Sequence, residues 1–464
     1  MIFDSATVTS AWSRRRFLGT SGAFMASLVQ LHVGRARAQT QPPVLPGPAE
    51  YSRDGFAVLR ARPGYAPLRG GEQTETAIWG YDGRVPGPLL RIRQGEELRT
   101  RLINELPQPT VIHWHGIRLP NAMDGVPHLT QPLIESGKSF DYRFIAPDAG
   151  TFWYHAHHYS SEQLAHGLYG PLIVDERTPP EIDQDILLVL DDWRLDANGA
   201  IQEASPGAMD GPAHLTANSR PRLDMPVAVN DRIRLRLINA ASARIMPVRI
   251  AGHVPYVVAI DGQPAEPFPA DASRVVLAPG NRADLFIDAT SEPGSVTPIV
   301  IEEYGQRDVE IARLVYDAQA RRRANPLPVP RPLPDNPLPA RMAFTDALRV
   351  EIPLEGAATN AMVMRRGPDA AGPPLFRVRR GRTVVIAMSN RTVFPHAMHL
   401  HGHHFRLLDS LDDGWKPFWL DTVLIAPERT TRIAFVADNP GKWMIDCYRL
   451  GYQETDMAAW FEVG

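Results

Sequence analysis

The chain has 464 residues, 44% of them apolar, a formal net charge of −3 and a single cysteine, Cys447. Its length predicts roughly two to four domains with sizeable cores. A near-neutral charge with no basic stripe beyond the N-terminus excludes nucleic-acid binding, and one cysteine excludes an internal disulfide.

At the N-terminus, Ser13-Arg14-Arg15-Arg16-Phe17-Leu18 is a twin-arginine export pattern. An apolar stretch over about 19–33 follows, then the small-residue cleavage signal Ala36-Arg37-Ala38. The stretch is short of the ~20 residues that a spanning helix needs. Residues 1–38 are therefore expected to be a signal peptide, and the mature protein to be exported, periplasmic and without a membrane segment. Removal of the signal leaves 44 basic against 51 acidic residues.

Proline is abundant, with 44 residues against a usual share of about 5%, which favours short strands and turns. Residues 95–104 alternate polar and apolar and end in Asn104; period-2 alternation closed by a turn residue is a half-buried strand. His113-Trp114-His115 follows. On a strand, residues two apart share a face, so this pair can grip one metal or two neighbouring ones. Pro147-Asp148-Ala149-Gly150 is a turn feeding the strand Thr151-Phe152-Trp153-Tyr154, which runs into a second pair, His155 and His157. Arg177-Thr178-Pro179-Pro180 is a polar break.

Residues 230–239 repeat the first strand pattern and end in Asn239, and Pro279-Gly280-Asn281-Arg282 reads as the counterpart of the 147–150 turn. The run 325–334 has proline at alternate positions. It cannot enter a central sheet and is expected to be extended and stiff. Residues 381–390 repeat the strand pattern once more, ending in Asn390. His396-Ala397-Met398-His399-Leu400-His401 then supplies a third pair, and Asn439-Pro440-Gly441 a third turn, ahead of Cys447. Similar units about 140 residues apart predict three related β-sandwich domains, over 39–180, 181–335 and 336–464.

Imidazole suits copper, zinc and iron, and a thiolate shifts the choice towards copper. Three histidine pairs, His396 and Cys447 together read as a redox metal site. His128, His158, His166, His214, His253, His403 and His404 lack that spacing. They are expected in loops, in the core or beside the ligands; His32 leaves with the signal.

Through Ile112-His113-Trp114-His115-Gly116, Trp153-Tyr154-His155-Ala156-His157, the 395–403 segment and the cysteine segment, the chain resembles three-domain bacterial multicopper oxidases of the laccase type. Gly167-Leu168-Tyr169-Gly170 and Asp124-Gly125-Val126-Pro127 add to the likeness, which covers essentially the whole mature length. It implies an all-β fold of three cupredoxin-like Greek-key β-sandwich domains in tandem, and three domains can make a monomer without help. The implied cofactor is copper, about four ions by family and fewer here. The implied partners are dioxygen and a small-molecule reductant: a phenol, an aromatic amine or a low-valent metal ion. By the same resemblance His396 and Cys447 would bind the type 1 copper that accepts electrons, with Met457 as the weak axial ligand. His113 and His399 would hold the type 2 copper, and His115, His155, His157 and His401 the type 3 pair. Electrons would travel from the cysteine through its flanking histidines.

Here both flanks differ. Asp446 and Tyr448 stand where the family has type 3 histidines, and Tyr452 where it has the second type 1 histidine; Arg449, Gly451 and Asp456 also depart. The type 1 set falls to His396, Cys447 and Met457, short of the trigonal His₂Cys plane of a blue site. Tyr452 would ligate only as a phenolate, from an ordinary pKa near 10. Asp446 and Tyr448 are oxygen donors, but aspartate is shorter than histidine, so its strand is expected to move if it is to reach a metal. In an empty cluster Asp446 would accept from imidazole N–H groups, whose burial without partners costs about 1–3 kcal/mol each. Three readings compete: an altered copper-dependent oxidase, a non-catalytic exported scaffold or binding protein similar to the family's copper-free cell-division relative, and a recently disabled oxidase or sequence variant, since each His→Asp or His→Tyr replacement needs one base change. The 13 methionines are scattered, with no methionine-rich insertion of the kind linked to cuprous oxidation.

Overall fold

Alternating sequence and frequent turns make strands the dominant element. The computed structural model describes residues 46–464 except 72, 203–212, 304–306, 356–371, 409–414 and 448–456. The expected signal peptide, Tyr448, Arg449, Gly451, Tyr452 and Asp456 lie outside the described residues. The α-helix among them is one turn, Ser160–Gln163, and no helix of the described residues is long and apolar enough to cross a membrane.

The three patterned segments form the strands Glu97–Asn104, Arg232–Asn239 and Thr383–Asn390. Each lies inside a sheet between a parallel and an antiparallel neighbour. The parallel neighbours are Ala57–Ala66, Gln184–Trp193 and Leu348–Leu354. The antiparallel ones are Ser139–Ile145, Arg282–Asp288 and Thr430–Val436. A second sheet completes each unit. In the first it runs Leu90–Arg93, Tyr169–Asp175, Gly150–Ala156, Ile112–His115. In the second it runs Leu223–Val229, Val309–Arg321, Val296–Ile301, Met246–Ile250, Arg274–Leu277. In the third it runs Arg377–Val378, Ala458–Val463, Gly441–Cys447, His396–Leu400, Thr422–Ile425. The same order of parallel and antiparallel pairings recurs, so the units are three related two-sheet sandwiches.

The terminal asparagines explain why their pattern repeats. Asn104 donates from Nδ2 to the Gln108 and Ile134 carbonyls (2.9 and 2.8 Å), and its Oδ1 accepts from the Leu106 N–H at 3.0 Å. Asn239 makes the same three bonds with Arg244, Leu277 and Ala241. Asn390 makes them with Phe394, Ile425 and Thr392. One amide thus closes a loop and ties it to a neighbouring strand in every unit.

Two expectations need correction. Pro279-Gly280-Asn281-Arg282 feeds Arg282–Asp288, which pairs with Arg232–Asn239, whereas Gly150–Ala156 and Gly441–Cys447 lie in the other sheet. Their topological counterpart is Val296–Ile301, after Pro293-Gly294. Similar turns had masked different strands. Secondly, Arg232–Asn239 is buried on both faces, not half-buried. Its polar face is covered by a charged layer: Asp284 Oδ2 lies 2.6 Å from Arg234 and 3.2 Å from Arg236, and Arg234 also reaches Glu176 at 2.8 Å.

The proline run pairs with no sheet, as expected, but it is strapped down. Arg232 donates to the Leu327 and Pro328 carbonyls, and Leu333 packs on Val258 and Phe286. The first and third sandwiches share one apolar core, containing Trp114, Phe152, Leu400 and Trp443. The second has its own.

Candidate metal centre

Strand register assembles the histidines. In the first sandwich His113 lies opposite His155. In the third, His399 lies opposite Thr422 on one side and Asp446 on the other. The junction of these two sandwiches brings six rings together. His113 and His401 centroids are 3.9 Å apart, His115 stacks on His399 at 3.7 Å, and His157 meets His401 edge-on at 5.2 Å. His113 Nε2 and His399 Nε2 are 3.4 Å apart. All six expected type 2 and type 3 histidines therefore converge.

Oxygen acceptors fix the ring orientations. His113 donates from Nδ1 to the Asp124 carbonyl at 2.8 Å, His155 to the Ala156 carbonyl at 3.0 Å, and His399 to the Asp421 carbonyl at 3.0 Å. His401 Nδ1 is 3.0 Å from Asp124 Oδ2. These four rings turn Nε2 inward. His115 is reversed: its Nε2 is held by Asp421 Oδ1 and Thr422 Oγ1, both at 3.2 Å. Anchoring one ring nitrogen so that the other is free to ligate is how proteins orient metal-binding histidines.

Burial pushes His115 and His155 well below the ordinary imidazole range and, helped by the neighbouring His401, takes His113 down to about 3. These rings are neutral and available as donors. His401 behaves oppositely. Burial works against its charge, but Asp124 and Asp446 outweigh burial and raise it to about 10. Asp446 is likewise held well below the carboxylate range, against its burial, by His157 and His401.

Asp446 joins the cluster from the third sandwich. It stays in register, opposite His399 and Ala458, yet its Oδ2 comes within 3.4 Å of His157 Nε2 and its Oδ1 within 3.6 Å of His401 Nε2. The carboxylate thus faces both imidazoles with the strand in its regular register.

Neighbouring strand residues face opposite ways, so Cys447 points away from Asp446 and towards His396. His396 Nδ1 is 3.2 Å from Cys447 Sγ, and its Nε2 is 2.7 Å from Thr392 Oγ1. The Cys447 N–H donates to the Met457 carbonyl at 3.0 Å, and both side chains pack against the shared core. Thiolate, imidazole and the methionine segment are thus neighbours.

Histidine spacing did not reveal Asp421. Besides holding His115, it takes two bonds from Arg282 (2.8 and 2.6 Å) and lies 3.5 Å from His404 Nε2. Arg282 comes from the second sandwich, so one carboxylate links all three. The available signal was a lone charge inside the apolar run Phe418-Trp419-Leu420-Asp421-Thr422-Val423. His403 packs against Phe435, Trp443 and Phe461, and His253 bonds Tyr316, as expected of core histidines.

The residues fit copper at the six-ring centre. Imidazole nitrogens face one another, three carboxylates surround them, and the buried His401 Nε2 and Asp446 Oδ1 lack hydrogen-bond partners. Family models described as multicopper oxidase match residues 64–179, 184–309 and 348–464. The chain is 29% identical to the multicopper oxidase MmcO of Mycobacterium tuberculosis, over 96% of each chain. Among solved structures, Lac15 from a marine microbial metagenome is 38% identical with a TM-score of 0.74, covering 88% of this chain and 99% of its own. A multi-copper oxidase from Pseudomonas thermotolerans is 34% identical with a TM-score of 0.78, covering 90% of this chain and all of its own.

Proposed function

Because this chain belongs to the multicopper oxidase family, a set of tandem cupredoxin-like domains, we propose that it is an exported copper-dependent oxidase of phenols, aromatic amines or low-valent metal ions. The observation that carries this reading is the convergence of six imidazoles, five of them oriented by oxygen acceptors, between the first and third sandwiches. When copper is bound, the chemistry supplied is one-electron oxidation of the reductant and reduction of dioxygen to water.

The chain's own residues divide the work. Cys447 and His396 stand at the electron entry, with Met457 beside them. His113 and His399 would serve as the type 2 pair, and His115, His155, His157 and His401 as type 3 ligands. Asp124 and Asp421 orient rings and add negative charge that favours a bound cation. Register keeps Asp446 between entry and centre, so the covalent connection through the backbone of Cys447 survives. The imidazole that would continue it does not.

A second reading is a copper-free scaffold. The contact of Asp446 with His157 and His401 favours it, since a carboxylate there neutralises a charged imidazole without metal.

One experiment separates the two: copper content, the visible spectrum and oxygen uptake on a phenolic substrate, measured for the native chain and for a chain carrying Asp446→His, Tyr448→His and Tyr452→His. The oxidase reading expects bound copper and slow uptake in the native chain, with a blue band and faster uptake in the triple variant. A copper-free, inactive pair establishes the scaffold.

A further inference from the structure

We propose that His157, His401 and Asp446 form a His₂–carboxylate site for a four-coordinate divalent cation, and that Asp446 makes this position select zinc(II) or copper(II) over copper(I). The inference rests on the reading of the histidine cluster as a metal centre and goes beyond it, because the ligand and the selectivity belong to this chain's own aspartate.

The spacing is that of coordination. The two contacts, 3.4 Å from Asp446 Oδ2 to His157 Nε2 and 3.6 Å from Oδ1 to His401 Nε2, exceed hydrogen-bond length. With metal–nitrogen and metal–oxygen bonds of about 2.0–2.2 Å, the edge between two ligands is about 3.3–3.6 Å in a tetrahedron and about 2.8–3.1 Å in an octahedron. The observed distances, which end on different oxygens of Asp446, lie near the tetrahedral edge and exceed the octahedral one. Donor atoms of all three side chains lie within 4.8 Å of one another.

The site also leaves two buried atoms unsatisfied. His401 Nε2 and Asp446 Oδ1 have no hydrogen-bond partner among the described residues. A cation between them satisfies both. His401 is already anchored through Nδ1 by Asp124 at 3.0 Å, which orders the ring for ligation.

Selectivity follows from donor type. Soft thiolate and thioether ligands favour copper(I), whereas imidazole and carboxylate together suit harder divalent ions. A carboxylate also supplies a full negative charge that the family's histidine lacks.

The test is anaerobic titration of metal-free full-length protein with zinc(II), copper(II) and copper(I), comparing the native chain with Asp446→Asn and Asp446→His. Bound metal is counted by mass spectrometry, and the zinc shell is read by X-ray absorption. Asp446→Asn keeps the side chain's shape, and circular dichroism confirms its fold. The expected result is a four-coordinate nitrogen–oxygen zinc shell in the native chain. Asp446→Asn should weaken zinc binding about tenfold or more, and Asp446→His should shift preference towards copper(I). Equal zinc affinity, within about twofold, in native and Asp446→Asn protein overturns the role of Asp446. If copper(II) still binds the other histidines in that case, the metal-centre reading stands. A native chain that binds none of the three ions overturns both.

Discussion

Gly116 shows how tightly the centre is drawn at the residue scale. It follows His115 with φ +85°, and a Cβ there would collide with the Arg282 guanidinium and the Asp421 carboxylate. The glycine lets a second-sandwich arginine and a third-sandwich aspartate close over a first-sandwich histidine. Gly116→Ala should displace Asp421 from His115 and weaken copper binding about tenfold or more, checked by copper titration of the metal-free protein. Asp421→Ala should be harsher. It strips Arg282, buried completely, of its bidentate partner, and breaking a buried pair this way costs about 3–5 kcal/mol. Denaturant unfolding measures it. Histidine spacing made the ligands legible because strand geometry places alternate residues on one face. Asp421 was not legible, because its partners lie 139 and 306 residues away.

At the scale of the element, the terminal asparagine of each patterned strand carries more than turn propensity. Asn239→Ala removes two donors from the Arg244 and Leu277 carbonyls and one acceptor from Ala241. Orphaning such buried groups costs about 1–3 kcal/mol, so the variant should unfold at lower denaturant with an unchanged slope. The repeat itself could be read from the chain, since all three strands share alternation and a closing asparagine. The pairing of the 279–282 turn with the other two could not. Turn chemistry reports a reversal of direction, but it does not say to which sheet the next strand belongs. The strand Gly441–Cys447 holds a similar lesson. Its alternation set Asp446 and Cys447 on opposite faces, yet only the docking of the first sandwich brings His157 within 3.4 Å of that aspartate.

Across the whole molecule, charge and core are arranged to join sandwiches. Asp284 binds Arg234, Arg236 and, at 2.6 Å, Thr151 of the first sandwich. Asp284→Ala should leave two buried guanidinium groups short of a partner and cost about 3–5 kcal/mol. Loss of cooperativity in thermal unfolding, with the second sandwich separating first, would locate that cost at the interface. By itself the chain determined three repeated β units, paired histidines and a lone thiol, because period-2 alternation and two-residue spacing are local properties of a strand. Tertiary structure alone decided that six rings from two sandwiches meet, that the polar face of Arg232–Asn239 is buried, and that Asp446 reaches the rings in register. Each of these depends on how separate sheets dock, and the docking is set by apolar burial and charge pairing between residues far apart in the chain.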